Sequence, residues 1–125
     1  MKTAFIAFAA LLAGSIAALA AEPAREMDTS AGKVLVNMDG MTLYSFDKDE
    51  AGKSNCYDQC ATNWPPLAAE GDAMASGNWS VVERTDGSKM WAYKGMPLYT
   101  FIADKTPGDV AGDGKNGVWH VVKTN

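Results

Sequence analysis

Short runs of β-branched, aromatic and aliphatic residues alternate with turn residues from residue 33 to the end of the chain. The first run, residues 34–38, is followed by Asp39-Gly40, which is a strong signal for a two-residue hairpin turn, and then by a second run at residues 41–46. With those two residues in the turn, Met38 faces Met41 and Val36 faces Leu43. The pattern therefore predicts a β-hairpin with large apolar side chains opposite one another, the pairing that stabilises sheets.

The same pattern occurs twice. Residues 40–49 return as residues 95–104, with Gly, Met, Leu, Tyr, Phe and Asp recurring in step. Lys94-Gly95 takes the place of the first turn, so Tyr93 is expected to face Met96. Self-similarity of this kind indicates a repeat architecture. We therefore expect a doubled unit in which Tyr44 and Tyr99 occupy equivalent places.

A third strand is predicted for each copy. Trp79 and Trp119 each lie in a Gly-x-Trp-x-Val-Val segment, so we interpret these two tryptophans as equivalent. The repeats would then span residues 33–84 and 88–124. An isolated three-stranded piece buries little, and each copy would supply the apolar surface that the other lacks. The expected fold is an all-β domain, barrel-like or a sandwich, built from two three-stranded repeats.

The connection within the first copy is the longer one, and it holds both cysteines, Cys56 and Cys60. Residues 55–63 there predict one short inserted helix, capped by Ser54 or by Asn55 itself and ending before Pro65-Pro66.

The start of the chain has the pattern of an export signal. Lys2 precedes an apolar run and small residues follow it, so residues 1–20 are predicted to be a signal peptide. Residues 21–32 are small and polar without a period and predict a flexible leader. Export removes Lys2 and changes the net charge from −4 to about −5. We expect a periplasmic or secreted protein that does not bind nucleic acid, because phosphate neutralisation needs a basic surface.

Several motifs together resemble the bacterial "secreted repeat of unknown function" family. They are the doubled Tyr-x-Phe-x-x-Asp motif, the spaced cysteines, Trp64-Pro65-Pro66-Leu67 and the closing tryptophan segments; the motif residues are Tyr44, Phe46, Asp49, Tyr99, Phe101, Asp104, Trp64, Trp79 and Trp119. The resemblance implies an envelope location in a bacterium and brings no settled activity. Many family members are predicted lipoproteins, but this chain has no cysteine after the apolar run, so we expect no stable membrane anchor after cleavage.

Cys56 and Cys60 pose a structural question. An exported setting favours a disulfide, yet positions i and i+4 of a regular helix hold Cβ atoms about 5–6 Å apart, whereas a disulfide needs about 3.8 Å. Either the helix distorts to admit the bond, or the thiols stay apart. We predict a disulfide, which would contribute only about 2 kcal/mol for so short a loop.

Soft donors suited to Cu(I) are present in the two thiols, His120, Met38 and Met41, although methionines beside aromatic residues more often pack against rings. No cofactor is predicted, and copper is the alternative that these donors leave open. Asp49 and Asp104 are expected to accept backbone N–H bonds where the chain leaves a strand.

The chain has one histidine and neither a Gly-x-Ser-x-Gly segment nor a phosphate-binding loop, so no recognised catalytic constellation is present. The function that we expect is therefore a non-enzymatic binding or structural module of the bacterial envelope, whose partner is another envelope protein or a small ligand. The alternative is a thiol-redox or copper-handling protein that uses Cys56 and Cys60 with a methionine or His120.

Overall fold

The computed structural model describes residues 22–124, so the predicted signal peptide at residues 1–20 lies outside the described residues. Within that range the chain forms seven short strands, one α-helix and one 3-10 turn. In chain order they are β1 (Ala24–Thr29), β2 (Gly32–Asn37), β3 (Tyr44–Phe46), α1 (Gln59–Asn63), β4 (Trp79–Glu83), β5 (Lys89–Tyr93), β6 (Met96–Pro97), the 3-10 turn (Lys115–Gly117) and β7 (Trp119–Val121).

The strands make three small antiparallel sheets, β1-β2, β3-β7 and β4-β5-β6. Isolated bridges join them, among them those of Val34 with Lys123 and of Ala68 with Met90. The result is a small sandwich-like domain with one short helix, and the predicted all-β class is confirmed.

The expectation of a flexible leader at residues 21–32 was wrong for most of that stretch. Residues 24–29 form β1, which pairs with β2 from Ala24 opposite Asn37 to Thr29 opposite Gly32. The strand was missed because its side chains are mostly polar and exposed, as is common on an edge strand where charges discourage pairing with other chains.

The predicted register of the first hairpin was also wrong. Val36 pairs with Thr42, one position away from the expected pairing with Leu43. The cause is Asn37, whose Oδ1 accepts the backbone N–H groups of Asp39 and Met41 at 2.9 and 3.0 Å and so lengthens the loop by one residue. Met38, expected to face Met41, lies largely in solvent.

The second hairpin follows the prediction. Tyr93 pairs with Met96 across Lys94 and Gly95, whose φ angles are 52° and 86°. Positive φ at both central positions is the geometry that suits a tight hairpin, and glycine adopts it without strain.

The repeat boundaries differ from those that the sequence suggested. Trp79 pairs with Tyr93 just as Ala24 pairs with Asn37, so β4 is the counterpart of β1. The counterpart of Trp119 is Trp64, because Pro66, two residues after Trp64, pairs with Tyr99 just as Val121 pairs with Tyr44. Trp79 and Trp119 are therefore not equivalent, although both are buried in strands as predicted. The Gly-x-Trp-x-Val-Val likeness misled because it compares the first strand of a repeat with the last.

The two copies exchange their closing segments. Val121 of the second copy pairs with Tyr44 of the first, and Pro66 of the first copy pairs with Tyr99 of the second. Between these contacts Tyr44 and Tyr99 pair with each other, each backbone N–H donating to the other's carbonyl oxygen at 2.7 and 3.0 Å. Such reciprocal contacts indicate approximate two-fold symmetry about this central pair. Neither copy completes its own sheet, which is the physical reason for the duplication.

The helix in the long connection is shorter than predicted. It covers Gln59–Asn63 rather than residues 55–63, because Asp58 has φ 56° and ψ −125° and breaks the helical path. Cys56 therefore lies outside the helix. This is the distortion that lets its sulfur reach that of Cys60.

Candidate functional site

The doubled motif brings each tyrosine to the aspartate of the other copy. The Tyr44 hydroxyl donates to Asp104 Oδ2 at 2.7 Å, and the Tyr99 hydroxyl donates to Asp49 Oδ2 at 2.6 Å. All four residues are buried. The motif thus ties the two copies together through two crossed, charge-assisted hydrogen bonds.

Each aspartate also holds the loop that follows its strand. Asp49 Oδ1 accepts the backbone N–H of Asn55 at 2.6 Å, and Asp104 Oδ1 accepts that of Ala111 at 2.9 Å. The expectation that these carboxylates accept backbone N–H bonds is confirmed. A single carboxylate therefore fixes both the partner copy and the local loop.

Burial decides the electrostatics of the crossed pairs. It raises the pKa of Asp49 and of Asp104, and hydrogen bonds from the tyrosines and the backbone oppose part of that rise. Burial and donation to a carboxylate also raise the pKa of Tyr44 and of Tyr99. Both phenols are consequently protonated donors at neutral pH.

The large rings of the motif form one stacked column. Phe46 stacks on Trp119 with centroids 4.2 Å apart, Trp119 on Trp64 at 3.8 Å, and Trp64 on Phe101 at 4.0 Å. Tyr44 meets Trp64 edge to face at 5.3 Å. Offset-stacked and edge-to-face pairs of aromatic rings stabilise a fold by more than the burial of their surface alone does. The column is the centre of the core, and it too alternates between the copies.

One glycine is required by this packing. A Cβ at Gly112 would lie 2.7 Å from Trp64 Cη2 and 3.0 Å from Tyr44 Cζ, both on rigid buried rings. The backbone N–H of Gly112 donates to the Tyr44 hydroxyl at 3.1 Å. The close approach of this loop to the column therefore depends on a residue without a side chain.

The crossed pair of Tyr99 with Asp49 has a hydrogen-bond relay that the pair of Tyr44 with Asp104 lacks among the described residues. Arg84 Nη1 donates to Ser54 Oγ at 2.7 Å, and Ser54 Oγ lies 2.6 Å from the Tyr99 hydroxyl. The phenol gives its only hydrogen to Asp49, so Ser54 must donate to Tyr99. The buried guanidinium thus reaches a carboxylate through two hydroxyls. Sequence analysis missed Arg84, for which the only signal is a charge at the end of an apolar strand.

Except for Trp79, the motif residues are thus engaged with one another and buried, which makes them parts of the fold. The other predicted site residues lie apart from a common centre. Cys56 and Cys60 form the predicted disulfide, and His120 Nε2 lies 2.8 Å from Asp47 Oδ2 at the surface. Among residues 22–124 no group of three or more His, Cys, Asp or Glu side chains is placed to hold a metal ion.

A cleft of about 240 Å³ shares no lining residue with the aromatic column. Trp79 and Trp91 form its aromatic wall and meet edge to face with centroids 6.2 Å apart. The other lining residues come from the connection between the copies and from the segment before β1: Glu22, Pro23, Asp72, Ala73, Met74 and Ser76. Sequence analysis named Trp79 only as a core residue and missed the cleft, because the connection has no pattern of its own.

These features define an interlocked, duplicated β module. Residues 26–68 and 80–123 match the family described as "Secreted repeat of unknown function", and the chain belongs to that family. The matched segments agree with repeats that begin at β1 and β4. No curated protein and no solved structure gives a significant match.

The family description supports an exported location, as the signal pattern predicted. In the part of the chain that the structure describes, we find no helix with the length and apolar character needed to span a membrane.

Proposed function

We propose that this protein is a non-enzymatic binding module of the bacterial envelope, periplasmic or secreted, and that its site is the Trp79–Trp91 cleft. The ligand is a small organic cation, with a quaternary ammonium group as the clearest example. The observation that carries the proposal is a cleft that combines two tryptophans with two carboxylates, those of Glu22 and Asp72.

The duplication supports this choice of site. Positions that the fold requires keep similar residues in both copies, as Tyr44 and Tyr99 do. The cleft tryptophans differ from their counterparts, since Ala24 corresponds to Trp79 and Leu35 to Trp91. The fold of the unit is therefore compatible with smaller side chains at these positions. The two tryptophans are then explained by a binding role that only the second copy has.

The chemistry of the lining favours a cation. The face of the tryptophan ring attracts a cation lying over it more strongly than the face of tyrosine or phenylalanine does. Carboxylates at the rim add Coulombic attraction, and the chain is acidic overall, with a net charge of −4. Met74, which is 74% exposed at the rim, offers a flexible apolar contact.

The volume sets the ligand size. Pockets for drug-sized molecules hold about 300–1,000 Å³, and this cleft is smaller at about 240 Å³. A compact cation of a few carbon atoms suits it better than an extended chain or a peptide.

The test uses choline and its neutral isostere 3,3-dimethylbutanol, each titrated into the protein while tryptophan fluorescence and amide chemical shifts are followed. We expect saturable binding of choline, with shifts at Trp91, Met74 and Asp72, and at least tenfold weaker binding of the alcohol. Equal affinity for both probes, or shifts that lie elsewhere, would overturn the proposal.

Two variants sharpen the test. Trp91→Leu installs the residue that the first copy has at the corresponding position, so the fold should persist while choline affinity falls at least tenfold. Asp72→Asn removes one rim charge on an exposed loop, and a several-fold loss is expected. Asp39→Asn, which removes a charge at the first hairpin and outside the cleft lining, is the matched control and should bind like the unaltered protein.

A further inference from the structure

The two sulfurs of the Cys56–Cys60 disulfide differ in access. Cys56 is fully buried, whereas Cys60 is half-buried and lines a surface hollow of about 340 Å³. Lys48, Trp64 and Trp119 are among the other residues that line the hollow. A reagent in solution therefore has more access to Cys60 than to Cys56.

A buried cation lies beside the inaccessible cysteine. Arg84 Nη2 donates to the carbonyl oxygen of Cys56 at 2.7 Å, and its guanidinium lies over the Tyr57 ring at 4.1 Å. Arg84 is buried, and within residues 22–124 it makes no direct ion pair; its other partners are Ser54 Oγ and, more distantly, Met90 Sδ. A buried charge without an adjacent counter-charge is costly, and a thiolate on Cys56 would place a negative charge on the residue whose carbonyl oxygen Arg84 binds.

The bond is not required by the architecture of the unit. The corresponding connection of the second copy reaches the same column without cysteines. There Asp109 accepts the backbone N–H groups of Lys105 and Thr106, and Asp113 accepts that of Val121. Hydrogen bonds alone therefore hold a loop of this kind in place.

We propose that Cys56–Cys60 is an exchange-active disulfide that accepts electrons from a dithiol reductant, with Cys60 as the sulfur that is attacked. This goes beyond the binding role of the cleft, since the hollow and the cleft share no lining residue. Attack at the accessible sulfur and departure of a thiolate from the residue that Arg84 contacts are conditions that favour exchange.

The chemistry balances in two steps. A thiolate of the reductant attacks Cys60 Sγ, a bond forms between these two sulfurs, the Cys56–Cys60 bond breaks, and its electron pair leaves on Cys56 Sγ. The second thiolate of the reductant then attacks the sulfur of its own chain in the mixed disulfide and releases Cys60 as a thiolate. The protein gains two electrons, the reductant becomes a disulfide, and the two protein thiolates take up protons from solvent according to their pKa values.

The first experiment compares the two sulfurs directly in the full-length exported protein. Cys56→Ser leaves Cys60 as a thiol, and Cys60→Ser leaves Cys56; each is reacted with glutathione disulfide, and the mixed disulfide is followed by mass spectrometry. We expect Cys60 to react at least about 100-fold faster, following its exposure. Equal rates, or a faster Cys56, would overturn the proposal.

A second measurement does not depend on variants that fold. The unaltered protein is incubated with graded dithiothreitol, thiols are alkylated and counted, and near-UV circular dichroism reports the aromatic column. The proposal expects both cysteines to become reduced while the aromatic signal persists. Reduction only at dithiothreitol concentrations at which the aromatic signal is also lost would mean that the bond is purely structural and would refute exchange.

Arg84 provides a third arm. Arg84→Met keeps much of the side-chain length and removes the charge, and we expect the rate of reduction by dithiothreitol to fall about tenfold, because the leaving thiolate loses its cation. Arg84→Lys restores a cation and should recover most of the rate. An unchanged rate in Arg84→Met, in protein with the normal aromatic signal, would contradict the role of the guanidinium.

Discussion

Removing one hydroxyl group at the centre of the fold gives the sharpest prediction about stability. Tyr44→Phe keeps the ring, so its edge-to-face contact with Trp64 persists and no cavity forms. What is lost is the hydrogen bond of 2.7 Å to Asp104 Oδ2 and the acceptor for the backbone N–H of Gly112. Both orphaned groups are buried.

The size of the effect follows from these two losses. A hydrogen bond to a charged group contributes about 1.5–3 kcal/mol, and a buried N–H left without a partner costs about 1–3 kcal/mol. These two costs are not fully additive because the loop can relax, so we expect a loss of about 3 kcal/mol in the free energy of unfolding. For a domain of about 100 residues this lowers the melting temperature by roughly 15 °C.

Urea unfolding followed by tryptophan fluorescence measures the change, with linear extrapolation to water. Tyr93→Phe is the matched control, because within residues 22–124 the Tyr93 hydroxyl makes no hydrogen bond to protein and the expected change is below about 0.5 kcal/mol. If Tyr44→Phe lost no more than this control, the argument that the phenol joins the two copies would be refuted.

Three further changes test other parts of the account. Gly112→Ala should cost at least about 2 kcal/mol, because the added Cβ would lie 2.7 Å from Trp64 Cη2, while Gly71→Ala, with open space around it, should be nearly neutral in the same urea titration. Asp58→Gly should raise the free energy of unfolding by about 1 kcal/mol, since φ 56° with ψ −125° is strained for any residue with a Cβ; a loss instead would show that the Asp58 side chain matters more than its backbone. Burial raises the pKa of Asp104, so the folded protein binds a proton at this carboxyl more tightly than the unfolded chain does. The stability that comes from this difference is complete below the unfolded pKa of about 3.9 and is lost as the pH rises through the folded value. Urea midpoints between about pH 4 and 7 should therefore decline less steeply in Asp104→Asn than in the unaltered protein, and parallel curves would contradict this assignment.

Local chemistry explains what could be predicted from sequence. The second hairpin was predicted in its correct register because Lys94-Gly95 specifies a two-residue turn through backbone preference alone. The equivalence of Tyr44 and Tyr99 was visible because the same side chains must recur wherever two copies meet about a two-fold axis. The disulfide followed from the exported setting.

The errors have an equally physical origin. The first hairpin slipped by one residue because the Asn37 side chain takes over the turn, which no apolar pattern records. The crossing of tyrosines and aspartates between copies is a long-range pairing, and the motif is the same whether each pair forms within a copy or across copies. The likeness of Trp79 to Trp119 reflected strand chemistry, while the true partner, Trp64, was hidden by the two prolines that follow it.

The most direct test of the interlocked fold is a set of double-mutant cycles that use Tyr→Phe and Asp→Asn at the four motif positions. The crossed pairs, Tyr44 with Asp104 and Tyr99 with Asp49, should show coupling free energies of about 1–3 kcal/mol, because each shares a buried hydrogen bond. The pairs within one copy, Tyr44 with Asp49 and Tyr99 with Asp104, share no hydrogen bond and should couple by less than about 0.5 kcal/mol. Larger coupling within a copy than across copies would contradict the exchange of tyrosine and aspartate between the two halves.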